Sequence, residues 1–184
     1  PMTQEFLQSV RKFTEEQGVI FIFDEVVTGF RCSPGGAQQA FDIKPDLTTL
    51  AKILAGGLPG GAVAGRKDIL DDLDFERAAA QGREKIGHPG TFNANPVSAA
   101  AGIAALKIIE QTDACEKANT SAAILRENFN NILDKHNVPW AAYGTFSGVH
   151  LYMNKNGQAI NQSTFNANEI GYADLKNKDK DLVT

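Results

Sequence analysis

The sequence predicts an α/β fold with a mainly parallel sheet, and three observations support that prediction. An apolar run at residues 19–23 leads directly into Asp24, which is the pattern of a strand covered on both faces. An amphipathic helix is expected over residues 3–17, and a second short apolar segment follows at residues 47–50. Helices alternating with buried strands are typical of βαβ units.

The first helix is predicted from apolar residues at helical spacing, with Gly18 as its stop signal. Its apolar positions are Phe6, Leu7, Val10 and Phe13. After the second strand we expect a further short strand at residues 62–65 and a polar helical turn at residues 66–74. The charged residues 74–87 lack sustained periodicity, which indicates a surface excursion.

Two longer helices are expected in the second half. Asn95 and Pro96 form a helix start, with the asparagine as cap and the proline at the first helical position. One face of this helix is predicted to carry Val97, Ala101, Ala104 and Ile108. A helix over residues 115–136 is predicted to carry a core or interface stripe of Ala118, Ala122, Leu125, Phe129 and Ile132. Residues 138–153 suit one or two strands, and residues 173–181 a short helix.

Composition narrows the function classes. The chain has 184 residues, 42% of them hydrophobic and 22% charged, and a net charge of −4, which is ordinary for a globular protein and shows no bias towards nucleic acid. The sequence has no apolar run of spanning length and no signal-peptide pattern, so a cytoplasmic protein without membrane contact is the default expectation. Cys32 and Cys115 share no CxxC spacing, and His136 and His150 have no ligand partners at recognisable spacing. We therefore expect no metal site.

Two ionisable residues are expected at one edge of the sheet. Asp24 ends the first predicted strand, and Lys52 lies just past the second. Ligands of open α/β sheets bind at the carboxyl ends of strands. If the two strands are parallel neighbours, a carboxylate and an amine face one crevice. Each residue alone is more often a turn former, a helix cap or a solvated surface group.

Four blocks of sequence in a fixed order strengthen the interpretation of Asp24 and Lys52 as site residues. They are IFDEVVTGFR, GGAQ, KPDLTTLAKILAGGLPGGAVAGR and HPGTFNANPVSAAAGIAAL, between residues 21 and 106. This region resembles the class III aminotransferases that use pyridoxal phosphate, and it is most similar to the glutamate-1-semialdehyde 2,1-aminomutase group. In that group, as here, the phenylalanine at position 30 is followed directly by Arg31, and GGAQ comes a few residues later.

The resemblance implies a fold and a longer subunit. Residues 1–136 correspond to part of the large pyridoxal phosphate-binding domain of fold type I, including its connecting helix. Residues 137–184 correspond to the start of a smaller α+β domain at the C-terminal end. We expect the chain to be a fragment, because the resemblance implies further polypeptide before Pro1 and after Thr184.

The resemblance also implies site residues. Asp24 holds the proton on the pyridine nitrogen, and Lys52 forms the Schiff base with the cofactor and moves the substrate proton, so these two are the expected catalytic residues. Val26 packs on one face of the ring. Thr91 reaches the cofactor phosphate of the neighbouring subunit, which implies a homodimer. Arg31 is expected to steady the loop through a carboxylate contact.

The turn around Thr91 supports a phosphate site on general grounds as well. It lies just before the helix that starts at Asn95, and free backbone N–H groups near a helix N-terminus favour an anion. Without the surrounding block, a threonine in an ordinary turn would be the better interpretation.

The reaction type stays open between an aminomutase and a transaminase, because both use the same Asp, Lys and Thr. The substrate is expected to be an amino acid or an amino-aldehyde. Residues 74–87 look longer than the matching family segment, and the polar residues 154–179 differ from the tail of the aminomutases. Both differences indicate a relative whose amine substrate is not that of the aminomutases. A folded, non-catalytic fragment that lacks part of the cofactor site is the alternative. A nucleotide-binding domain is disfavoured because GGLPGG lacks the GxGxxG order.

Overall fold

The computed structural model of the protein describes residues 2–176. The chain divides into two compact units, Met2–Asp113 and the part that begins at Ala114. Each unit has its own small sheet. The first unit contains all the residues predicted for the site.

The first helix, α1 (Gln4–Glu16), confirms the helix predicted ahead of the first strand. Gly18 follows it at φ +63°, a left-handed conformation that glycine adopts without strain. Leu7 is buried, whereas Phe6 and Phe13 are 54% and 62% exposed. Only one edge of the predicted apolar face is therefore covered in this unit.

Three strands form the sheet of the first unit, in the order β1 (Ile22–Asp24), β2 (Leu47–Ala51) and β3 (Gly61–Gly65). The β1 and β2 strands are parallel, as predicted, whereas β3 is antiparallel to β2. The three strands thus form a mixed sheet rather than a mainly parallel one. The connection at residues 52–60 is too short for the crossover that a parallel return requires.

The β1 strand is covered on one face, so the expectation of burial on both faces is wrong for the part of the chain described. Phe23 is buried and meets the ring of Phe21 edge to face, with ring centroids 5.8 Å apart. Ile22, whose side chain points to the other face, is 55% exposed. No element of Met2–Asp113 packs closely enough over Ile22 to bury it.

A buried carboxylate joins α1 to the start of the sheet. Asp46 Oδ2 accepts hydrogen bonds from Phe21 N (2.8 Å) and Arg11 Nη1 (2.8 Å), and its Oδ1 accepts one from Arg66 Nη1 (3.0 Å). The Phe21 N–H and then the Arg11 guanidinium, with help from Arg66, hold the pKa of Asp46 at about 2, below its ordinary value. Asp46 therefore connects α1, β1 and the residue that follows β3.

Short helical segments occupy the connections. The predicted polar turn at residues 66–74 is helical, and the surface excursion after it contains a helix that buries Ala78. Asp74 caps that helix by accepting hydrogen bonds from Glu76 N (2.9 Å) and Arg77 N (3.2 Å). The segments are α2 (Gly36–Ala40), a 3₁₀ turn (Lys52–Ala55), α3 (Lys67–Leu70), a second 3₁₀ turn (Asp71–Leu73) and α4 (Phe75–Ala80).

The helix predicted from Asn95 is confirmed as α5 (Pro96–Gln111). The Asn95 side chain caps it, because Oδ1 accepts hydrogen bonds from Val97 N (3.0 Å) and Ser98 N (3.1 Å). Pro96 occupies the first helical position, where its missing N–H costs no hydrogen bond.

The packed face of α5 agrees with the predicted one only at Ala101, which is half-buried. Val97 and Ile108 are 65% and 57% exposed, and Ala104 is exposed as well. The helix instead lies against the 3₁₀ turn through Gly102, where an added Cβ would be 2.5 Å from Leu54 O. Contact at this distance depends on a missing side chain, and the spacing of large apolar residues cannot indicate it.

The second unit contains a long helix and a pair of strands, which confirms the elements predicted there. The helix is α6 (Ala114–Lys135), and the strands β4 (Ala141–Tyr143) and β5 (His150–Tyr152) pair antiparallel. A last helix, α7 (Tyr172–Lys176), covers the start of the helix predicted over residues 173–181. The rest of that prediction lies outside the described residues.

Two hydrogen bonds join α6 to β4. Asn130 Oδ1 accepts a hydrogen bond from Ala142 N (2.7 Å), and Asn130 Nδ2 donates one to Ala142 O (3.0 Å). Of the predicted apolar stripe, Ala122 is buried, but Leu125, Phe129 and Ile132 are 46%, 36% and 55% exposed. The stripe does not form the core of this unit, and its alternative role as an interface stays a prediction.

Candidate active site

The site begins with Asp24, the last residue of β1. Its Oδ1 accepts hydrogen bonds from Val26 N (2.9 Å) and from Thr49 Oγ1 (3.2 Å). Its Oδ2 accepts no hydrogen bond from residues 2–176. The side chain is exposed, so one oxygen is fixed by the protein and the other is open to a donor from outside the chain.

Lys52 follows the last residue of β2 and starts the 3₁₀ turn. Its φ of +52° is left-handed, a conformation that costs a residue with a Cβ about 1–3 kcal/mol and that is frequent at functional sites. The side chain is exposed, and no carboxylate of the described chain forms an ion pair with it. The amine is therefore free to meet a ligand.

The strand register brings the two residues to the same edge of the sheet. Asp24 lies opposite Thr49 in the parallel pair of β1 and β2. Lys52 is three residues beyond Thr49 and one residue past the end of β2, an offset of about 10 Å at the rise of an extended strand. The predicted parallel pairing is confirmed, and with it the prediction that both residues lie at the carboxyl ends of neighbouring strands.

Val26 is half-buried in the turn that follows β1, and its N–H group fixes Asp24 Oδ1. Arg31 lies in the same turn region. Its Nε donates to Val27 O (2.9 Å), and it forms no ion pair with a carboxylate of the described residues. The carboxylate contact expected for Arg31 is thus replaced by a backbone contact within its own turn.

Glu25 is the residue of this region that the sequence analysis missed. It is completely buried, and its carboxyl group accepts hydrogen bonds from Ala37 N (3.0 Å), Gln38 N (2.8 Å) and the Thr28 hydroxyl. It thereby ties the loop after Asp24 to the start of α2. Because glutamate is rarely buried, the only available signal was its position, one residue after Asp24 and so on the opposite face.

Glycines surround the turn that begins with Lys52. Gly56 and Gly57 have φ of +61° and +92°, and a Cβ on Gly56 would lie 2.5 Å from Ala101 O of α5. Gly56 therefore allows this turn to pack closely against α5. Gly57 has nothing within 4 Å of its Cβ position, so its backbone is open to a ligand or a partner.

Thr91 lies in the exposed turn before α5, and its side chain makes no hydrogen bond with residues 2–176. The same turn is fixed by Asn93, which donates from Nδ2 to His88 O (2.9 Å). Asn95 uses the N–H groups of Val97 and Ser98 for its cap. The cap thus occupies two of the free N–H groups at the start of α5. An anion at this point would therefore be bound by the Thr91 hydroxyl and the backbone of the turn.

The described residues meet the requirements of neither a metal site nor a membrane-spanning helix. Residues 2–176 contain no group of three or more His, Cys, Asp or Glu side chains that could hold a metal ion. His150 lies over the ring of Tyr143, with centroids 5.4 Å apart. Within the same residues, none of the helices combines the length and apolar character needed to cross a membrane.

The sequence pattern of the family described as "Aminotransferase class-III" matches residues 1–171 of the chain. The chain belongs to the class III aminotransferase family. This confirms the resemblance on which the site residues were predicted.

The curated relatives include two proteins named glutamate-1-semialdehyde 2,1-aminomutase. The protein of Sulfurisphaera tokodaii is 46% identical over 134 residues, which cover 73% of this chain and 30% of the relative. The protein of Methanocaldococcus jannaschii is 42% identical over 149 residues, which cover 81% of this chain and 33% of the relative. The chain thus spans about a third of the length of these class III relatives.

Solved structures agree with the fold. An omega-transaminase from Sphaerobacter thermophilus superimposes with a TM-score of 0.73 at 34% identity, covering 92% of this chain and 37% of the other. A structure described as a transaminase with PLP bound gives a TM-score of 0.74 at 31% identity, covering 84% and 35%. The α/β arrangement of the chain is therefore that of class III transaminases.

Proposed function

We propose that this chain carries the Asp and Lys half of the cofactor site of a pyridoxal phosphate-dependent class III aminotransferase, in or near the glutamate-1-semialdehyde aminomutase branch. The full protein moves an amino group of a small amino acid or amino-aldehyde. The observation that supports this best is the register of β1 and β2. Within the described residues, Asp24 Oδ2 accepts no hydrogen bond and the Lys52 amine forms no ion pair.

The residues present fit pyridoxal phosphate. Asp24 Oδ2 is an acceptor for the N–H of a pyridinium ring, and the Lys52 amine suits the aldehyde. Thr91 offers a hydroxyl to a phosphate, and we propose that it does so in the neighbouring subunit of a homodimer. Val26 is proposed to pack on the ring. A cytoplasmic location stays a prediction from composition.

The cofactor, when bound, supplies an electron sink for bond breaking at the α-carbon of an amino substrate. Asp24 holds a proton at the ring nitrogen, because a nearby carboxylate stabilises the protonated form. The Lys52 amine removes and returns the proton at the substrate's α-carbon, acting as general base and acid. The left-handed backbone at Lys52 supports this role, since such strain is frequent where a side chain must be aimed.

A labelling experiment tests the proposal. The full-length protein that contains this chain is incubated with pyridoxal phosphate and reduced with borohydride, and the modified peptide is located by mass spectrometry. The label is expected on Lys52 and is lost in Lys52→Ala. Lys44→Ala serves as the control, because Lys44 is also exposed and lies just before β2. A label on other lysines, or no label, would support the non-catalytic alternative.

A second experiment tests the carboxylate. Asp24→Asn keeps the label on Lys52 but lowers amino transfer by about a hundredfold or more, because a neutral amide no longer stabilises charge at the ring nitrogen. Asp42→Asn, a change at another exposed carboxylate of the same unit, leaves the transfer rate unchanged. An Asp24→Asn enzyme as active as the wild type would refute the role of Asp24.

The aminomutase branch is favoured by the curated relatives named as aminomutases, which are 46% and 42% identical to this chain. Nitrogen from a labelled amino donor is followed in the presence of an added oxo acid. Label that stays within a single substrate skeleton is the expected result. Transfer of the label to the oxo acid would assign a transaminase instead.

A further inference from the structure

The Asp24 carboxylate has an orientation that its own torsions do not determine. The last torsion of an aspartate side chain is broad, so the carboxylate plane is set by its hydrogen bonds. Both bonds to Asp24 use Oδ1, one from Val26 N at 2.9 Å and one from Thr49 Oγ1 at 3.2 Å. Oδ2 is thereby turned away from both donors.

Thr49 is placed for this contact by the sheet itself. It lies directly opposite Asp24 in the parallel pair, and its carbonyl oxygen accepts the N–H of Glu25 at 2.9 Å. The backbone of Thr49 thus fixes the chain beside Asp24, and its hydroxyl fixes the carboxylate. A valine at this position would keep the β-branched shape that suits a strand but would have no donor.

We propose that Thr49 is a positioning residue for the proposed cofactor site: its hydroxyl holds Asp24 Oδ1 so that Oδ2 faces the ring nitrogen of bound pyridoxal phosphate. This inference depends on the proposed function. Thr49 acts through Asp24 and makes no contact with the cofactor.

The neighbouring Thr48 provides a matched control. It belongs to the same strand but points to the opposite face, where it is buried opposite Phe23. Thr48→Val and Thr49→Val therefore make the same chemical change one residue apart, and only the second removes a donor to Asp24. Thr49→Ser keeps the hydroxyl and serves as the rescue variant.

The test is an absorbance titration of the full-length protein with pyridoxal phosphate. Thr49→Val is expected to raise the dissociation constant about three- to tenfold, the range of one lost hydrogen bond. Thr49→Ser and Thr48→Val are expected to bind like the wild type. Equal affinity of Thr49→Val and the wild type, or equal loss in Thr48→Val, would overturn the inference.

A cofactor analogue separates this role from a general weakening of the fold. In the analogue, carbon replaces the ring nitrogen, so Asp24 has no N–H to accept. The difference between Thr49→Val and the wild type should vanish with the analogue, and its persistence would place the effect of Thr49 elsewhere. Failure of the wild type to bind pyridoxal phosphate through Lys52 would refute the proposed function itself, a result distinct from either outcome for Thr49.

Discussion

The carboxyl group of Glu25 occupies the space that a side chain on Gly36 would need. A Cβ built on Gly36 would lie 2.6 Å from Glu25 Oε1, far inside contact distance. Gly36 also has a φ of +72°, where a Cβ is strained in any surroundings. Residue 36 is therefore restricted to glycine for two separate reasons, and only one of them involves Glu25.

Gly36→Ala is expected to lower the free energy of unfolding by about 2–4 kcal/mol, the sum of backbone strain and a disturbed buried carboxyl group. Gly18→Ala is the control, because Gly18 has a similar φ of +63° and nothing within 4 Å of its Cβ position. It should cost only about 1 kcal/mol. Urea unfolding of both variants measures the difference. Equal losses would mean that the contact with Glu25 contributes nothing.

The stability of the fold depends on pH through Asp46. Its folded pKa is about 2, below the value of about 4 for an unfolded aspartate. Such a group contributes its full stabilisation above the unfolded pKa and loses it as the pH falls from about 4 to about 2. Asp46→Asn should therefore be less stable than the wild type by on the order of 2 kcal/mol at pH 7, and this difference should shrink towards pH 2.

Urea unfolding between pH 2 and pH 7 follows this change. Asp42→Asn serves as the reference, because Asp42 is exposed and no ion pair of the described residues includes it. Its stability relative to the wild type should vary little with pH. A constant gap between Asp46→Asn and the wild type over the whole range would contradict the linkage.

The cap of α5 is open to a direct test. Asn95→Ala removes the acceptor for Val97 N and Ser98 N and should lower the free energy of unfolding by about 1 kcal/mol. Asn95→Asp keeps an acceptor and should stay close to the wild type. Thermal unfolding followed by circular dichroism compares the three proteins. An alanine variant with unchanged stability would show that the cap is replaceable by water.

The sequence predicts the edge of the sheet at which Asp24 and Lys52 lie. An apolar run that ends in an ionisable residue indicates both a strand and the point where the strand ends. The parallel pairing of β1 and β2 was the condition on which that prediction rested, and the structure meets it. The role of Glu25 could not be predicted. Its position one residue after Asp24 indicates the face that it occupies but not its burial, since two of its three donors come from residues 37 and 38.

The faces of the two long helices were harder to predict than their existence. Apolar spacing indicates where a helix could be buried, but α5 packs through Gly102 and α6 through Asn130. In one case the decisive feature is a missing side chain, and in the other it is an amide. The spacing of apolar residues indicates neither feature. The large apolar residues on which the prediction depended, such as Val97 and Ile132, are exposed in these units.

The amide of Asn130 has a consequence for how the second unit behaves in a crowded solution. By engaging both the N–H and the C=O of Ala142, it occupies the polar backbone groups that an incoming strand from another molecule would need. Open strand margins are templates for association between chains. The Asn130 side chain therefore blocks pairing of another strand at the middle of β4 and protects the hairpin against edge-to-edge aggregation.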